Sequence, residues 1–476
     1  MTMKKTKIIA TYGPAINWEQ WLYKLYDSWV NVIRFNFSHA QYDAVRETLA
    51  IMRSNNQNWR TALSMLLDTK WPEIRIWDIS QKQNYYTWDI FKFYVDKKNF
   101  TEDGSSLFCD YQYLTQDAFE GQIIDIDSWL FQVKVVKIFH DYLEVEAQND
   151  AIIGSRRHVN LPGIRLKMPG ITQKDKQDVK FAVEESMDFI AQSFVRNADN
   201  IKELRQYLDN LWATDMKIIA KIENQEGIEN IEEIIQEADG IMVARWDLGI
   251  EVPIEKLPTY QANIVKQARA SGKFVIIATH LLESMIENSF PTRAEVSDIY
   301  NSVIQQSDAV MLSGETAIGK YPFKSVEVMN ATILEAEKYV HTSHPVYSQD
   351  GLTSRDIEKK SLIKSAIYSA EELWVQWLFI FTKSWKLARL TSAFRPNLSV
   401  YAFTPYISSV AYMNILYGIK PYFIKNWDDD FTWNISQAIK ICKSEWVLKT
   451  WDKIMLVNDI RKNGKEIPLV ELLEIL

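Results

Sequence analysis

Cysteine is nearly absent from this chain, whose 476 residues include only Cys109 and Cys442. Two cysteines are too few for a disulfide framework and too few for a cysteine-ligated zinc site. The sequence therefore fits a reducing compartment, and we expect a cytoplasmic protein. The six histidines form no HExxH pattern, and no GxxxxGK[ST] phosphate loop occurs. We interpret His39 and His280 as polar lining of a site rather than as metal ligands.

Long apolar runs are also missing, since none approaches the ~18 residues that a membrane-spanning helix needs. The N-terminal stretch MTMKKTKIIATYG is basic and then apolar, but its apolar part has only the length of a strand. We therefore predict neither a signal peptide nor a membrane segment. The net charge of −8 argues against a nucleic-acid-binding surface, which would normally be basic.

Glycine is scarce, with 15 residues against 17 tryptophans, whereas glycine normally makes up ~7% of a protein. Several tryptophans stand in turn-like contexts that favour positive φ or close backbone approach, and one follows a helical pattern where a C′ glycine is usual. One hypothesis is that the source genome reads the codon UGA as glycine, and that translation with a table that reads UGA as tryptophan produced these residues. The alternative is a protein that is rich in tryptophan. The residues concerned are Trp29, Trp71, Trp129, Trp385 and Trp451.

Strand-like runs recur along the chain with helical patterns between them. They are rich in Ile, Val and Leu rather than strictly alternating, which is typical of strands covered on both faces. Eight such strand–helix units predict a (β/α)8 barrel. The runs lie at 6–13, 31–38, 62–69, 188–194, 217–223, 240–246, 274–279 and 309–315.

The spacing of these runs breaks once, between the third and the fourth, where segment 72–165 is polar and short-stranded. A connection this long is rarely structureless, so we predict an inserted all-β domain that closes over the barrel as a lid. The barrel then comprises 1–71 and 166–344. Residues 345–476 begin a new βα pattern and are predicted to form a C-terminal α/β domain.

Charged residues close two neighbouring runs: Lys221 and Glu223 end one, and Arg245 and Asp247 end the next. The carboxyl ends of barrel strands are where chemistry occurs, and two carboxylates beside a lysine suit a divalent metal and a phosphoryl group. Other runs also end in polar groups. One such residue alone would be interpreted as a helix cap, but polar residues at the ends of so many runs indicate a functional site. These polar residues are Arg34, Asn36, Ser38, Asp68, Thr69, Thr279, Ser313 and Glu315, the last two separated by Gly314.

Seven strings closely resemble the pyruvate kinase family, in order and spacing: TKIIATYGPA, NVIRFNFSHA, LLDTKWPEIR, KIIAKIENQEG, ADGIMVARWDLGIE, PTRAEVSD and DAVMLSGETAIGKYP. The resemblance covers residues 5–343 strongly and 345–476 loosely. It implies a barrel with an inserted lid and a C-terminal effector domain, usually in a homotetramer. It also implies phosphoryl transfer from phosphoenolpyruvate to ADP, which gives pyruvate and ATP in glycolysis, with Mg²⁺ or Mn²⁺ and K⁺ as cofactors.

The resemblance also implies roles for individual residues. Lys221 and Arg34 match the cations on the phosphoryl group, and Thr279 matches the threonine near the enolate carbon. Glu223 and Asp247 match the divalent-metal ligands, and Trp246 and Asp247 lie where substrate binds. Asn36, Ser38, Asp68 and Thr69 match the K⁺ site, and Glu73 matches the residue associated with K⁺ dependence. The nucleotide contacts fall on Asn36, Ser38, His39, Arg75, Arg157 and Lys174.

The chain departs from the family at several positions. Trp246 replaces a glycine whose backbone N–H helps to hold the substrate carboxylate, and Trp71 and Trp129 replace lid glycines. His280 stands where Gln is usual. The loop at 382–390 resembles a phosphate-binding loop, but Leu387 replaces a hydroxyl residue and the tail lacks the usual Gly-Thr-Thr-rich loop. Activation by fructose 1,6-bisphosphate is therefore not inferred, and a sugar-phosphate effector is left open.

Two other functions are consistent with parts of the sequence. A non-catalytic paralogue that binds phosphorylated metabolites would explain Trp246, but it has no need for Lys221, Glu223, Asp247, Arg34 and Thr279 together. A barrel aldolase or lyase acting on pyruvate-type enolates would share the metal and enolate chemistry. It would have no use for a nucleotide site or this lid.

Overall fold

The computed structural model describes residues 3–16, 20–38, 40–57, 62–70, 74–100, 106–127, 129–164, 167–340, 353–428, 431–462 and 465–475. Its strands, in chain order, are β1 Lys7–Thr11, β2 Val32–Asn36, β3 Ser64–Asp68, β4 Gln83–Tyr85, β5 Ile90–Tyr94, β6 Ser106–Phe108, β7 Ile123–Ile126, β8 Phe131–Ile138, β9 Tyr142–Ala147, β10 Ala151–Ile153, β11 Val159–Asn160, β12 Phe189–Gln192, β13 Lys217–Ile222, β14 Gly240–Ala244, β15 Phe274–Ala278, β16 Ala309–Leu312, β17 Trp377–Phe381, β18 Ser399–Thr404, β19 Ile419–Phe423, β20 Lys453–Lys462 and β21 Lys465–Glu474.

The helices alternate with the strands outside the lid. They are α1 Trp21–Asp27, α2 Tyr42–Gln57, α3 Leu114–Asp117, α4 Gln173–Glu184, α5 Ala198–Asn210, α6 Gln225–Glu229, α7 Ile231–Glu237, α8 Arg245–Glu251, α9 Leu257–Ala270, α10 Arg293–Ile304, α11 Gly314–Ala317, α12 Pro322–Ala336, α13 Ser354–Glu372, α14 Lys386–Ala393, α15 Ile407–Met413 and α16 Phe431–Ser444. None of the helices in the described ranges combines the length and apolarity that crossing a bilayer requires.

Eight parallel strands close into a barrel in the order β1-β16-β15-β14-β13-β12-β3-β2, which confirms the predicted fold class. Strands such as β1, β3, β14 and β15 are buried along their whole length, as their unbroken apolar sequences predict. Packing inside the barrel is tight: a Cβ on Gly240 would lie 2.2 Å from the Phe274 ring. Glycine is therefore required there by close approach.

Two helices of the barrel begin at capping boxes, in which a threonine is followed three residues later by an acidic residue. Thr172 accepts a hydrogen bond from the Asp175 N–H at the start of α4, and Thr292 accepts one from the Glu295 N–H at the start of α10. In both, the acidic side chain returns a bond to the backbone N–H of the threonine, which completes a capping box. These caps fix the points at which α4 and α10 begin.

The inserted segment forms a separate sheet domain, as predicted. Its larger sheet has the order β11-β7-β8-β9-β5-β6, and a second sheet pairs β10 with β4. Its core is independent of the barrel and includes Phe93, Leu107, Phe131 and Val145. The short helix α3 and a 3-10 helix at Lys97–Asn99 depart from an all-β composition in the described part of this domain.

The C-terminal domain is a five-stranded α/β sheet in the order β19-β18-β17-β20-β21. Strands β17 to β20 match the predicted βα pattern, whereas the antiparallel partner β21 was not predicted. This domain shares a core with the lower end of the barrel, where the Phe189 and Tyr412 rings lie 6.0 Å apart. A buried ion pair, Arg395 Nη2 to Asp308 Oδ2 at 2.6 Å, joins the two domains.

Candidate active site

The barrel brings the predicted polar residues together because parallel strands all end at the same rim. The pairing of β2 with β3 sets Asn36 opposite Asp68. The pairing of β13 with β14 sets Lys221 opposite Met242, so Glu223 follows at the same rim. Residues from separate parts of the chain thus meet at one end of the barrel.

Lys221 lies at the centre of this rim and is almost fully buried. Its Nζ is 3.0 Å from Asp68 Oδ1, 2.8 Å from Glu223 Oε1 and 2.8 Å from Ser193 Oγ. Burial opposes its charge most strongly, but the carboxylates of Asp68, Glu223 and Asp247 outweigh burial and hold the pKa of Lys221 above its usual value. The lysine is therefore a fixed cation.

Arg34 provides a second cation beside Lys221. Its Nε donates to Asp68 Oδ2 over 2.6 Å, and its Nη1 donates to Thr11 Oγ1 over 3.1 Å. Burial would raise the pKa of Asp68, but Lys221 and Arg34 together lower it. Asp68 is thus an ionised carboxylate that holds both cations at one edge of the site.

The two predicted metal ligands form a buried acidic pair. Glu223 Oε2 accepts the Phe194 N–H over 2.7 Å, whereas the contact of Oε1 with Lys221 is an ion pair without hydrogen-bond geometry. Burial raises the pKa of Glu223 to about 7 and also raises the pKa of Asp247. Buried carboxylates with raised pKa values and an unsatisfied oxygen are suited to a bound cation.

This acidic pair is small for a metal site built by protein alone. In the described ranges, no group of three or more His, Cys, Asp or Glu side chains is placed to hold a metal ion. Mg²⁺ commonly binds through one or two carboxylates and completes its coordination with water and substrate oxygens. Glu223 and Asp247 therefore fit a metal that binds together with a phosphorylated substrate.

Thr279 occupies a strained position after β15, with φ of 67°. A β-branched residue in this region is an outlier. Its Oγ1 donates to the Ala278 carbonyl over 2.7 Å and accepts the Trp246 N–H over 2.8 Å. Arg245 donates to the Thr279 carbonyl over 3.2 Å and pairs with Asp298. The surroundings thus hold Thr279 in a defined orientation.

The Trp246 ring stands at the edge of this group and is 45% exposed. It packs edge-on against His280, with ring centroids 4.4 Å apart. Burial, followed by the charge of Arg245, lowers the pKa of His280. His280 therefore remains neutral at physiological pH and contacts the site through an aromatic ring.

The predicted K⁺ ligands lie around the ends of β2 and β3. Asn36 Oδ1 accepts the Ser38 N–H over 3.2 Å, and Thr69 Oγ1 accepts the Ser193 N–H over 3.1 Å. Asp68 lies between them, in register with Asn36. The structure therefore brings together four residues with oxygen ligands, although Asp68 is already engaged by two cations.

The predicted nucleotide contacts fall on two domains. Arg75 and Arg157 belong to the lid, where Arg75 Nη1 donates to the Arg156 carbonyl over 2.6 Å and Arg157 pairs with Asp127 at 3.3 Å. Lys174 lies on α4 of the barrel and donates to the Tyr42 hydroxyl over 2.9 Å. The predictions for His39, Trp71 and Glu73 lie outside the described residues.

Ser193 is a site residue that sequence reasoning did not assign. It follows β12, and its Oγ contacts Lys221 at 2.8 Å and Asp68 at 3.3 Å. The signal was present, because Ser193 is the polar residue at the end of the fourth predicted strand. Glu315 was expected to belong to the site because it follows a strand. Its carboxylate instead accepts the Leu282 and Ser313 N–H groups and supports the backbone.

Comparisons with known proteins agree with this geometry. The family profile described as pyruvate kinase, barrel domain, matches residues 3–326, and the profile described as pyruvate kinase, alpha/beta domain, matches residues 360–466. A pyruvate kinase of Lactobacillus delbrueckii subsp. bulgaricus is 35% identical over 464 residues, which cover 96% of this chain and 78% of that protein.

Two further relatives extend this match. A pyruvate kinase of Chlamydia pneumoniae is 35% identical over 457 residues, which cover 95% of this chain and 94% of that protein. The crystal structure of a pyruvate kinase from Cryptosporidium parvum superposes with a TM-score of 0.93 at 31% identity and covers 99% of this chain and 96% of that one. The chain therefore belongs to the pyruvate kinase family.

Proposed function

We propose that this protein transfers the phosphoryl group of phosphoenolpyruvate to ADP, giving pyruvate and ATP in glycolysis. The observation that carries the proposal is the buried ammonium of Lys221, held between Asp68 and Glu223 at the rim of the barrel. Phosphoryl transfer needs positioned positive charge more than covalent chemistry, and a fixed cation beside a metal-binding carboxylate provides it.

Lys221 and Arg34 neutralise the phosphoryl oxygens as charge develops on them. Both side chains are preorganised, since Asp68 binds the two cations at 3.0 Å and 2.6 Å. Preorganised charges stabilise a transition state without reorganising during the reaction. Substrate oxygens would add to this network from the open side of the rim.

Glu223 and Asp247 would hold Mg²⁺ or Mn²⁺, and the bound metal supplies positive charge to the phosphate and enolate oxygens. The fit rests on the unsatisfied Glu223 Oε1 and on the raised pKa values of both carboxyls. Asn36, Ser38, Asp68 and Thr69 would hold K⁺ through oxygen atoms, a ligand type that suits a hard cation. Asp68 would then share its oxygens among K⁺, Lys221 and Arg34.

Thr279 is assigned to the enolate side of the substrate, where a proton is delivered to carbon. The hydroxyl lies within hydrogen-bond reach of the residue 246 backbone N–H, which we assign to the substrate carboxylate. This N–H donates to Thr279 Oγ1 over 2.8 Å, so a bound substrate carboxylate would replace the threonine oxygen as its acceptor. The Thr279 hydroxyl and the residue 246 N–H would then both lie at the same end of the substrate.

The nucleotide would bind between barrel and lid. Lys174 approaches from α4, and Arg75 and Arg157 approach from the lid. His39 is assigned to the same site. A lid that closes on the nucleotide would exclude water, which strengthens electrostatic interactions and limits hydrolysis.

The protein is proposed to form a homotetramer in the cytoplasm, with the C-terminal domain as the place where a sugar-phosphate effector would bind. In the loop that would bind it, Ser384 N–H donates to Thr382 Oγ1 over 3.3 Å, and Lys386 pairs with Asp356 at 2.9 Å. Leu387 is buried. An effector would have to displace Asp356 from Lys386, so we assign this loop no effector of known identity.

The test is ATP formation by the purified protein from phosphoenolpyruvate and ADP, with Mg²⁺ and K⁺ present. Turnover that requires ADP supports the kinase. Pyruvate formation without ADP would indicate a phosphatase or lyase, and binding of both substrates without turnover would indicate the non-catalytic paralogue. The comparisons give that paralogue no support, and the complete set of site residues argues against it.

A further inference from the structure

Tryptophan is the commonest non-glycine residue with left-handed backbone in the described part of this chain. Seven tryptophans have φ between 56° and 76°, whereas four described glycines have positive φ. An L-residue in this region brings its Cβ against the following carbonyl oxygen, so glycine is the usual occupant. The seven are Trp29, Trp88, Trp129, Trp212, Trp374, Trp446 and Trp451.

Four of these tryptophans occupy the C′ position of a Schellman motif. After α5, the Trp212 N–H donates to the Asp209 carbonyl over 3.0 Å, and the Ala213 N–H donates to the Leu208 carbonyl over 2.9 Å. These are the two bonds that define the motif, in which C′ is left-handed and usually glycine. The same pair of bonds surrounds Trp29, Trp374 and Trp446.

One helix of this chain ends in the same way with a glycine. After α9, the Gly272 N–H donates to the Arg269 carbonyl and the Lys273 N–H donates to the Ala268 carbonyl, both over 2.9 Å. The φ of Gly272 is 66°, against 60° for Trp212. Gly272 and Trp212 therefore occupy equivalent backbone positions, with the same pair of hydrogen bonds and similar φ.

Packing does not compensate for the strain at three of these positions, whereas Trp29 is 50% exposed. Trp212 is 93% exposed, and Trp374 and Trp446 are each 90% exposed. Trp21 differs: it lies within α1, is 5% exposed, and its ring centroid is 5.5 Å from that of Tyr12. A large apolar ring in water, on a backbone that disfavours any side chain, has no structural role at these sites.

The remaining three of the seven, Trp88, Trp129 and Trp451, lie in turns. The prediction made from the sequence is only partly fulfilled. Trp29, Trp129 and Trp451 have the positive φ that their contexts predict, with φ of 70°, 69° and 76°. Trp385 has φ of −70°, so the expectation of left-handed backbone is wrong there. Trp71 lies outside the described residues.

We infer that the cell that makes this protein places glycine at the seven left-handed tryptophan positions, because it reads as glycine the codon UGA, which the printed sequence translates as tryptophan. Trp21 is then encoded by a codon of unchanged meaning. This inference does not depend on the proposed function. Residue 246 is helical, so its backbone does not reveal its identity, but glycine there would remove the ring that packs on His280.

The decisive experiment uses the native protein from its source cells, digested with trypsin and sequenced by tandem mass spectrometry. Peptide 206–217 carries residue 212, peptide 8–24 carries residue 21, and peptide 246–256 carries residue 246. We expect glycine at 212 and tryptophan at 21, with different codons for the two in the gene. Tryptophan at 212, or the same codon at both positions, overturns the inference.

A second measurement tests the backbone argument in protein made with the sequence as printed. Trp212→Gly should raise the unfolding temperature by about 2 °C or more, since the left-handed penalty is removed. Trp212→Ala is the matched control, because it removes the ring but keeps a Cβ, and it should give less gain. Trp21→Gly should lower the unfolding temperature. Equal effects of Trp212→Gly and Trp212→Ala would contradict the role assigned to φ.

Discussion

Lys221 and Asp68 form a buried ion pair at 3.0 Å between the ends of two barrel strands that are far apart in sequence. The pair leaves the lysine ammonium 2.8 Å from Glu223, the carboxylate assigned to the metal. Because Asp68 also binds Arg34, one carboxylate positions both cations assigned to the phosphoryl group. The predictions below follow from this arrangement and from the surrounding residues.

Replacing Lys221 by methionine should remove most of the phosphoryl transfer. The variant keeps a long apolar stem but loses the charge that stabilises the transferring group, so we expect kcat to fall on the order of 10³-fold. Turnover with phosphoenolpyruvate and ADP measures the effect. Lys217→Met is the matched control, since Lys217 starts the same strand at the opposite end of the barrel. Near-normal kcat in Lys221→Met would refute the assigned role.

Ser193→Ala should have a smaller effect that identifies Ser193 as a positioning residue. Its hydroxyl contacts Lys221 at 2.8 Å and Asp68 at 3.3 Å. Loss of one hydrogen bond to charged groups corresponds to about 10-fold in kcat. The expected signature is a lower kcat with little change in KM. Ser302→Ala, which removes a buried hydroxyl bonded within its own helix, is the control, and an equal effect in both would indicate general destabilisation.

Exchange of K⁺ for Na⁺ should strongly reduce activity. Four residues with oxygen ligands gather at the ends of β2 and β3, and Glu73 matches the family position associated with K⁺ dependence. Glu73→Lys should restore activity in Na⁺, because a fixed ammonium would replace the cation. Rates measured in the two salts at constant ionic strength decide the matter. Indifference of the unmodified protein to the exchange would contradict the K⁺ assignment.

Trp246→Gly, in protein made as printed, should lower the KM for phosphoenolpyruvate. The Trp246 ring lies beside the site and is 45% exposed, so its removal opens space around the backbone N–H assigned to the substrate carboxylate. The KM for ADP should change less, because the nucleotide contacts are assigned to Lys174 and to the lid residues Arg75 and Arg157. An unchanged KM for phosphoenolpyruvate would show that the indole does not obstruct the substrate.

Titration of Asp188 should lower the free energy of unfolding as pH rises. Burial raises its pKa from 3.8 to about 7, while Oδ2 accepts the Met65 N–H over 2.7 Å. The folded protein therefore holds this proton more tightly than the unfolded chain. The associated stability is complete below about pH 4 and is lost as pH rises towards about 7.

The measurement is urea unfolding of the unmodified protein and of Asp188→Asn at about pH 5 and about pH 8. Asparagine retains an acceptor for the Met65 N–H but does not titrate, so the variant should lose part of the pH dependence. Other buried carboxyls titrate equally in both proteins, and their effect cancels in the comparison. Identical pH dependence in the two proteins would show that Asp188 does not carry the proposed proton.

Much of the fold was predictable because each barrel strand is a short apolar run bounded by polar residues. β21 was not predicted, since its Leu- and Glu-rich sequence has no strand-like alternation and its pairing with β20 depends on the partner. The site was predictable wherever a charge ended a strand, as at Lys221 and Glu223. Ser193 carried the same signal at the end of a strand and was overlooked, whereas the left-handed backbone of Thr279 depends on tertiary contacts that local sequence does not specify.

The closed barrel also constrains the order in which the protein can form during synthesis. Its first strand must pair with its last, as the register of Lys7 with Ala309 shows. The ribosome therefore releases β1 long before its final partner exists, whereas the lid strands β4 to β11 emerge together and have their own core. We expect the inserted domain to acquire structure first on the nascent chain, with the catalytic rim assembled only after β16 has left the exit tunnel.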